Sequence, residues 1–315
     1  MNILHDFNLG LHHFTIPLIL FDEIKRRNFN ITNYQVSTKS EKNKCEIFFG
    51  NRLRTTDLSQ MPKLKYIHLG CVGYNNLDLE ILKAKNIKLT NSSGIVEEAM
   101  AETTLASIMW FNKSFNFLNN INNLSREYFN NYYDVFKPMN QLKFLVFGYG
   151  KVSKEFIKIA SNFTNNISVV VRNPTKCLFE GNIIKTTEVL NNIYNYDYII
   201  NCLPLNSSSK NYFNKIIFNE MSQKSVYINI GRSGTTVFDD LMYFVKNDKI
   251  RGAFLDVYEI DDITKNEIIS DNRFIISPHI SGWTTEYWND QSKLLLTNLD
   301  SFKEGNYNQL INQIV

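Results

Sequence analysis

The sequence predicts an α/β protein of two doubly wound parallel-sheet domains, and three observations predict it. Short runs rich in β-branched and aromatic residues carry little polar alternation, as strands covered on both faces require. Longer helical patterns separate these runs, as crossovers between parallel strands must. At 315 residues the chain exceeds what a single core of about 250 to 300 residues encloses, so two domains with an active-site cleft between them are expected.

The first strands in chain order are Glu46-Ile47-Phe48-Phe49 and Tyr66-Ile67-His68-Leu69. A long helical stretch with few breakers, Glu97 to Phe117, and an asparagine-rich segment reaching Pro138 then carry the chain into a second group of strands. That group is Phe144 to Phe147, Val169 to Val171, Tyr198-Ile199-Ile200, Val226 to Ile230 and Phe274-Ile275-Ile276. The helical stretch Thr284 to Phe302 returns the chain to complete the first domain. The expected division is therefore residues 1–117 with 284–315 as a first domain and 118–283 as a second. The asparagine clusters at 116–123 and 191–195 are interrupted by aromatic and aliphatic residues and are read as surface drift, not disorder.

A hydrophobic fraction of 43% and a net charge of +3 without a basic stripe exclude nucleic acid as an implied partner. The apolar run Ile16 to Phe21 follows no Lys or Arg and meets Asp22-Glu23 at once, which predicts neither a signal peptide nor a membrane partner. Cys45, Cys71, Cys177 and Cys202 form no C-x-x-C pair, so a reducing compartment, the cytoplasm, is expected and no metal site. A homodimer is the expected assembly.

The run Phe144 to Phe147 enters Gly148-Tyr149-Gly150-Lys151-Val152-Ser153, and Val152, Phe156, Ile159, Ala160 and Phe163 then recur at helical spacing. In a Rossmann-like βαβ unit the first glycine allows the tight turn and the second lets amides near Lys151 and Val152 approach a pyrophosphate at the helix N-terminus. The third position, usually glycine, is Ser153, which predicts a helix set slightly further from the strand. An NAD enzyme places a carboxylate at the end of the next strand, whereas this chain has Arg172-Asn173, with Lys176 nearby. A guanidinium there favours a 2′-phosphate, so NADP is preferred over NAD as the expected cofactor.

Three polar groups stand past later apolar runs: Asn229-Ile230-Gly231-Arg232-Ser233-Gly234, Gly252 to Asp261, and Ser277-Pro278-His279-Ile280-Ser281-Gly282. With Leu69 to Asp78, Asn91 to Glu102 and Cys202-Leu203-Pro204-Leu205, they make the chain similar to the D-isomer-specific 2-hydroxyacid dehydrogenases over nearly its whole length. Of only 13 glycines, Gly70, Gly73, Gly94, Gly148, Gly150, Gly234, Gly252 and Gly282 lie in these motifs, where backbone geometry demands them.

The resemblance implies hydride transfer between NAD(P)H and a small 2-keto or 2-hydroxy acid, with D-isomer specificity. It implies that His279 exchanges the proton, that Arg232 holds the carboxylate and polarises the carbonyl, and that amides at Val72 and Gly73 grip the carboxylate as the cleft closes. Cys202, Leu203, Pro204, Ile230, Gly231 and Gly282 would line the cofactor. Asp256 would stand by the nicotinamide carboxamide or cap the following turn. The family's carboxylate partner for the histidine is a glutamate; here Asp261 occupies that position, one methylene short, with Glu259 as the rival. The resemblance extends to a corepressor-like branch, so a catalytically weak or inactive NAD(P)-sensing scaffold is the alternative; Ser153, Asp261 and Val237, where the family usually has aspartate, leave room for it. Retention of both Arg232 and His279 favours the enzyme.

Overall fold

The parallel strands assemble into two sheets, each with its own core. The structure, a computed structural model, describes residues 1–7, 15–117 and 133–315. Residues 118–132, which hold most of the first asparagine cluster, and His12 and His13 lie outside the described residues.

The first unit comprises Met1–Ile95 and Thr284–Val315. Its strands are β1 (Asn2–His5), β2 (Asn30–Asn33), β3 (Ile47–Gly50), β4 (Tyr66–Leu69) and β5 (Lys88–Thr90), all parallel in the order β2-β1-β3-β4-β5. Its helices are α1 (Leu18–Arg26), α2 (Lys39–Lys44) and α3 (Leu79–Ala84). Successive strand residues enter opposite faces. Ile3, Ile47, Phe49 and Tyr66 join Leu20 and Ile24 on one side, while Leu4, Phe48 and Ile67 join Leu58 and Leu82 on the other. Thr38 builds a reciprocal capping box with Glu41 at the start of α2, and Asp78 accepts from the Glu80 and Ile81 amides at the start of α3.

The second unit is Val96–Trp283. It begins with α4 (Glu97–Asn112) and holds β6 (Phe144–Phe147), α5 (Lys151–Ala160), β7 (Ile167–Val171), β8 (Asn182–Lys185) and β9 (Tyr198–Asn201). There follow α6 (Lys215–Asn219), β10 (Val226–Asn229), α7 (Phe238–Lys246), β11 (Gly252–Leu255), α8 (Asp262–Ser270) and β12 (Phe274–Ile276). The seven parallel strands run in the order β12-β11-β10-β9-β6-β7-β8, so connections reverse direction at β6 and β9. Leu145 and Phe147 pack on one face, Phe144 and Val146 on the other.

The helix α9 (Tyr287–Lys303) returns to the first unit, where Leu295, Leu299 and Phe302 enter the core and Trp288 packs edge-on against Phe7. The division between units falls at 95/96, not at 117/118, because α4 belongs to the second core. Ala101, Ile108 and Phe111 pack with Phe156 and Ala160 of α5, the Tyr198 hydroxyl donates to Ile108 O at 3.2 Å, and Arg251 donates to Phe111 O. Burying Ile108 and Phe111 is worth about 1.5 to 3 kcal/mol apiece, which a polar helix surface would not supply. α4 also stops short of Phe117: Ser114 takes φ 52°, and Phe115–Phe117 continue as a 3₁₀ turn. Likewise α5 ends at Ala160, leaving Phe163, expected on its buried face, 39% exposed. No described helix is long and apolar enough to cross a membrane.

Candidate functional site

In the second unit, β6 runs directly into Gly148, whose φ of 91° is a left-handed conformation that favours glycine. Gly150 caps α5 without a side-chain hydrogen bond, and a Cβ added there would meet nothing within 4 Å. This open space beside the positive end of a ten-residue helix fits a pyrophosphate, and Lys151 and Val152 form the first turn beneath it. It lies at the reversal of strand order, where ligands of open α/β sheets bind. Ser153 is fully buried, so the residue in the third glycine's place is accommodated within the helix–sheet contact. Burial pushes the neighbouring Cys202 thiol up to about 12, an effect the Ser153 hydroxyl opposes.

Cys202, Leu203 and Pro204 leave β9 beside this turn: a Cβ on Gly148 would sit 3.5 Å from the Leu203 side chain and 3.7 Å from Cys202 O. Gly231, two residues past β10, crosses the same segment so closely that a Cβ would lie 2.7 Å from Leu203 O. Gly148, Cys202, Leu203 and Gly231 thus converge. At the end of β7, exposed Arg172 donates to Ser208 Oγ at 3.0 Å, which ties it to the loop after β9. Asn173 caps the turn Pro174–Lys176, accepting from Thr175 N and Thr175 Oγ1.

Arg232 is half-buried and donates to Gly231 O at 2.7 Å. Its loop rests on a buried polar network. Asn201 Nδ2 donates to Tyr227 OH at 2.8 Å, Thr235 Oγ1 at 2.8 Å and Asn229 Oδ1 at 3.2 Å. Thr235 Oγ1 in turn donates to Arg232 O at 2.6 Å, and Asn229 Oδ1 accepts from Gly231 N at 3.0 Å. The two asparagines end adjacent strands in register, yet the sequence reading assigned neither a role; two apolar strands each closing on asparagine were the available signal.

His279 stands three residues past β12, at the same sheet edge as Arg232, three past β10. It takes φ 59° and is exposed, and among the described residues its imidazole makes no hydrogen bond or ion pair. The expected bond to Asp261 is absent. Asp261 caps α8 instead, accepting from Thr264 N at 2.7 Å, because its short side chain reaches its own helix start most easily. Glu259 accepts from Ser233 Oγ at 2.8 Å, beside Arg232. Asp256 is engaged by the loop after β12. It is 1% exposed, and Ser277 Oγ, Ile280 N, Ser281 N and Ser281 Oγ all donate to it. Ser277 and Ser281 were missed as partners, and Gly282 packs against Val96. Ile230, 1% exposed, belongs to the core under the Arg232 loop and presents its backbone only.

In the first unit, the loop after β4 has its carbonyls turned inward. Asn91 Nδ2 donates to Val72 O at 2.8 Å, Ser92 N to Cys71 O at 3.2 Å, and the Cys71 thiol to Gly73 O at 3.3 Å. The Val72 and Gly73 amides have no acceptor among the described residues, a pair of donors suited to a carboxylate. The start of this loop is held by the Tyr287 hydroxyl, which donates to Gly70 O at 2.6 Å. Behind it, fully buried His68 bonds Thr90 Oγ1 through Nδ1 and the Gln291 amide through Nε2, both at 2.8 Å. In the neighbouring loop, the Asp6 carboxylate accepts from the Asn51 and Arg52 amides, although burial raises its pKa.

A glycine turn at a strand-order reversal, with an arginine and a histidine on later loops at one sheet edge, defines a nucleotide-dependent oxidoreductase of the parallel α/β type. Residues 113–281, more than half of the chain, match the family described as D-isomer specific 2-hydroxyacid dehydrogenase, NAD binding domain. The chain belongs to the D-isomer specific 2-hydroxyacid dehydrogenase family. It is 21% identical over 303 residues to glyoxylate/hydroxypyruvate reductase A of Arabidopsis thaliana, covering 91% of this chain and 93% of that protein. To the D-3-phosphoglycerate dehydrogenase of Haemophilus influenzae it is 26% identical over 248 residues, covering 76% and 60%. Its fold is similar to that of a D-lactate dehydrogenase from Aquifex aeolicus complexed with NAD and lactic acid, with a TM-score of 0.84, 20% identity and coverage of 100% and 99%. An NADPH-dependent glyoxylate/hydroxypyruvate reductase from Sinorhizobium meliloti, in complex with NADP and malonate, gives a TM-score of 0.79 at 17% identity, covering 100% and 96%.

Proposed function

We propose that this chain reduces a small 2-keto acid to the D-2-hydroxy acid, and runs the reverse reaction, with NADP preferred to NAD. The observation that carries the reading is that half-buried Arg232 and exposed His279, whose imidazole meets no partner among the described residues, stand at the same edge of one parallel sheet, beside the open glycine turn.

The bound nicotinamide supplies the hydride that ends on the substrate's C2. Arg232, its loop held by Thr235 and Asn229, binds the carboxylate and draws electron density toward the carbonyl oxygen. The Val72 and Gly73 amides donate to the carboxylate. The His279 imidazolium gives its ring N–H proton to the carbonyl oxygen as the C=O π bond becomes C–H and O–H, and accepts that proton in oxidation. Lys151 and Val152 at the start of α5, with Gly148 and Gly150, receive the pyrophosphate. Arg172 and Asn173 face the adenosine ribose and favour a 2′-phosphate. Cys202, Leu203, Pro204, Ile230, Gly231 and Gly282 shape the nicotinamide half. The protein works as a cytoplasmic homodimer, a state that sedimentation would read directly.

The test follows NADPH and NADH consumption against glyoxylate, hydroxypyruvate, pyruvate and longer 2-keto acids. Turnover of at least one acid is expected, and His279→Gln should slow it by about two to four orders of magnitude with cofactor affinity little changed. Tight cofactor binding without turnover of any acid would end the proposal.

A further inference from the structure

We infer that the buried pair His68 and Gln291 is a positioning unit that, through Ser92, aims the Val72 and Gly73 amides; this rests on the proposed role of those amides in holding the substrate's carboxylate. Across a planar trans peptide the carbonyl of one residue and the amide of the next point opposite ways. Whatever ties the Cys71 and Val72 carbonyls inward therefore turns the Val72 and Gly73 N–H groups outward. Those ties come from the residues that leave β5. Ser92 N donates to Cys71 O at 3.2 Å, and Asn91 Nδ2 donates to Val72 O at 2.8 Å.

Ser92 is itself held by a chain of buried groups. Its Oγ lies 2.6 Å from Leu69 O and 2.6 Å from the side-chain amide of Gln291. With the other end of that amide Gln291 reaches His68 Nε2 at 2.8 Å, and His68 Nδ1 meets Thr90 Oγ1 at 2.8 Å. Thr90 Oγ1 stands 2.7 Å from the Tyr66 hydroxyl. Tyr66, His68, Thr90, Ser92 and Gln291 are each no more than 1% exposed, so the chain of bonds is shielded from solvent. The start of α9 adds a second hook. Tyr287 and Gln291 share one face of that helix at i and i+4, and they act on consecutive carbonyls: the Tyr287 hydroxyl donates to Gly70 O at 2.6 Å, while Gln291 acts on Leu69 O through Ser92. The carbonyls of residues 69 to 72 are thus all held from inside by buried residues. Apolar residues of similar shape could replace the His68–Gln291 pair at little cost in stability. What the polar pair adds is direction.

The experiment uses the full chain with His68→Leu/Gln291→Met, His68→Gln and Ser92→Ala. It reads KM and kcat on the best keto acid of the panel, the Kd of NADPH by fluorescence, and amide exchange at Ser92 and at Phe48 in the central strand β3 of the same unit. The double variant should raise KM about 10-fold with kcat within about threefold, because the amides hold the carboxylate before and during hydride transfer alike. Its NADPH Kd should stay within about twofold. A purely structural loss would do the reverse, lowering kcat through fewer folded molecules and leaving KM alone. His68→Gln keeps a polar end for Gln291 and should hold KM within about threefold of wild type. A fall in kcat alone, or a His68→Gln KM as high as that of the double variant, would overturn the inference. Ser92 exchange at least about tenfold faster in the double variant, with Phe48 unchanged, upholds the anchoring. Equal acceleration at both sites, or none, refutes it. Unchanged KM with faster Ser92 exchange upholds the anchoring and overturns instead the role of the amides in binding. If no acid is turned over, the proposed function fails by itself and the exchange at Ser92 decides the anchoring. Should the double variant not fold, Ser92→Ala removes the link through a single hydroxyl and is read by the same measurements with the same expectations.

Discussion

Asp261 is one methylene shorter than the expected glutamate, and its carboxylate is engaged by the Thr264 amide. Asparagine keeps a capping oxygen and loses only the charge, so the two possible duties separate. Asp261→Ala should destabilise the protein by about 1 kcal/mol, whereas Asp261→Asn should leave stability nearly unchanged. With the cap as its duty, Asp261→Asn changes kcat by less than about threefold; a loss of tenfold or more would return the residue to His279. A second prediction concerns Arg172, whose guanidinium already reaches Ser208 on the opposite loop. Arg172→Asp should raise the Kd of NADPH at least about tenfold more than that of NADH, because the new carboxylate repels a 2′-phosphate and accepts from ribose hydroxyls. Equal losses for both cofactors would remove the NADP preference. The glycine turn was legible in the sequence because a strand run enters it and a helical pattern leaves it, and the positions of Arg232 and His279 past strand ends were legible through the motifs that carry the family resemblance. The hydrogen-bond partners of Asp256 and Asp261 were not, since they depend on which loops the sheet brings side by side.

Among the elements, the central strands of the second sheet could be read from their continuous apolar runs, which stay buried at every position. β2 and β8, at sheet edges, open and close on polar residues in Asn30-Ile-Thr-Asn33 and Asn182-Ile-Ile-Lys185, so their patterns merge with turns. β5 has only three residues, and β1, Asn2-Ile-Leu-His5, opens and closes on polar residues around just two apolar ones. β11 was seen only as an apolar run, because Gly252 and Ala253 have little strand preference of their own. The register of β9 against β10 places Asn201 beside Asn229, and this pairing supports the Arg232 loop. Asn201→Leu would remove the donor to the Tyr227 hydroxyl, Thr235 Oγ1 and Asn229 Oδ1 and the acceptor of Leu203 N, and lower stability by about 2 to 3 kcal/mol. The variant's urea midpoint measures it; an unchanged midpoint would show that the network is dispensable.

On the scale of the molecule, acid should strike the first unit hardest. Burial holds His68 down to about 3 and His5 to about 4, against 6.5 for a free histidine. Both are neutral when folded and take up protons when unfolded. Their stabilisation is complete above pH 6.5 and is lost as pH falls toward those folded values, by about 1.4 kcal/mol per pH unit for each ring. Asp6, raised by burial, acts with the opposite sign and softens the decline. Urea midpoints between pH 7.5 and 4.5 should fall less steeply in His68→Gln than in wild type, and parallel slopes would exclude the histidine as the cause. The second unit is one unbroken stretch, Val96–Trp283, whereas the first needs residues from both sides of it. During synthesis the ribosome therefore delivers a self-sufficient middle before the opening ninety-odd residues can finish their own core. Until α9 emerges with Leu295, Leu299, Phe302 and Gln291, the greasy flank of Phe29 and Tyr66 lacks its cover and His68 Nε2 lacks the Gln291 amide, and the nascent chain passes through a sticky intermediate that chaperones would be expected to shield.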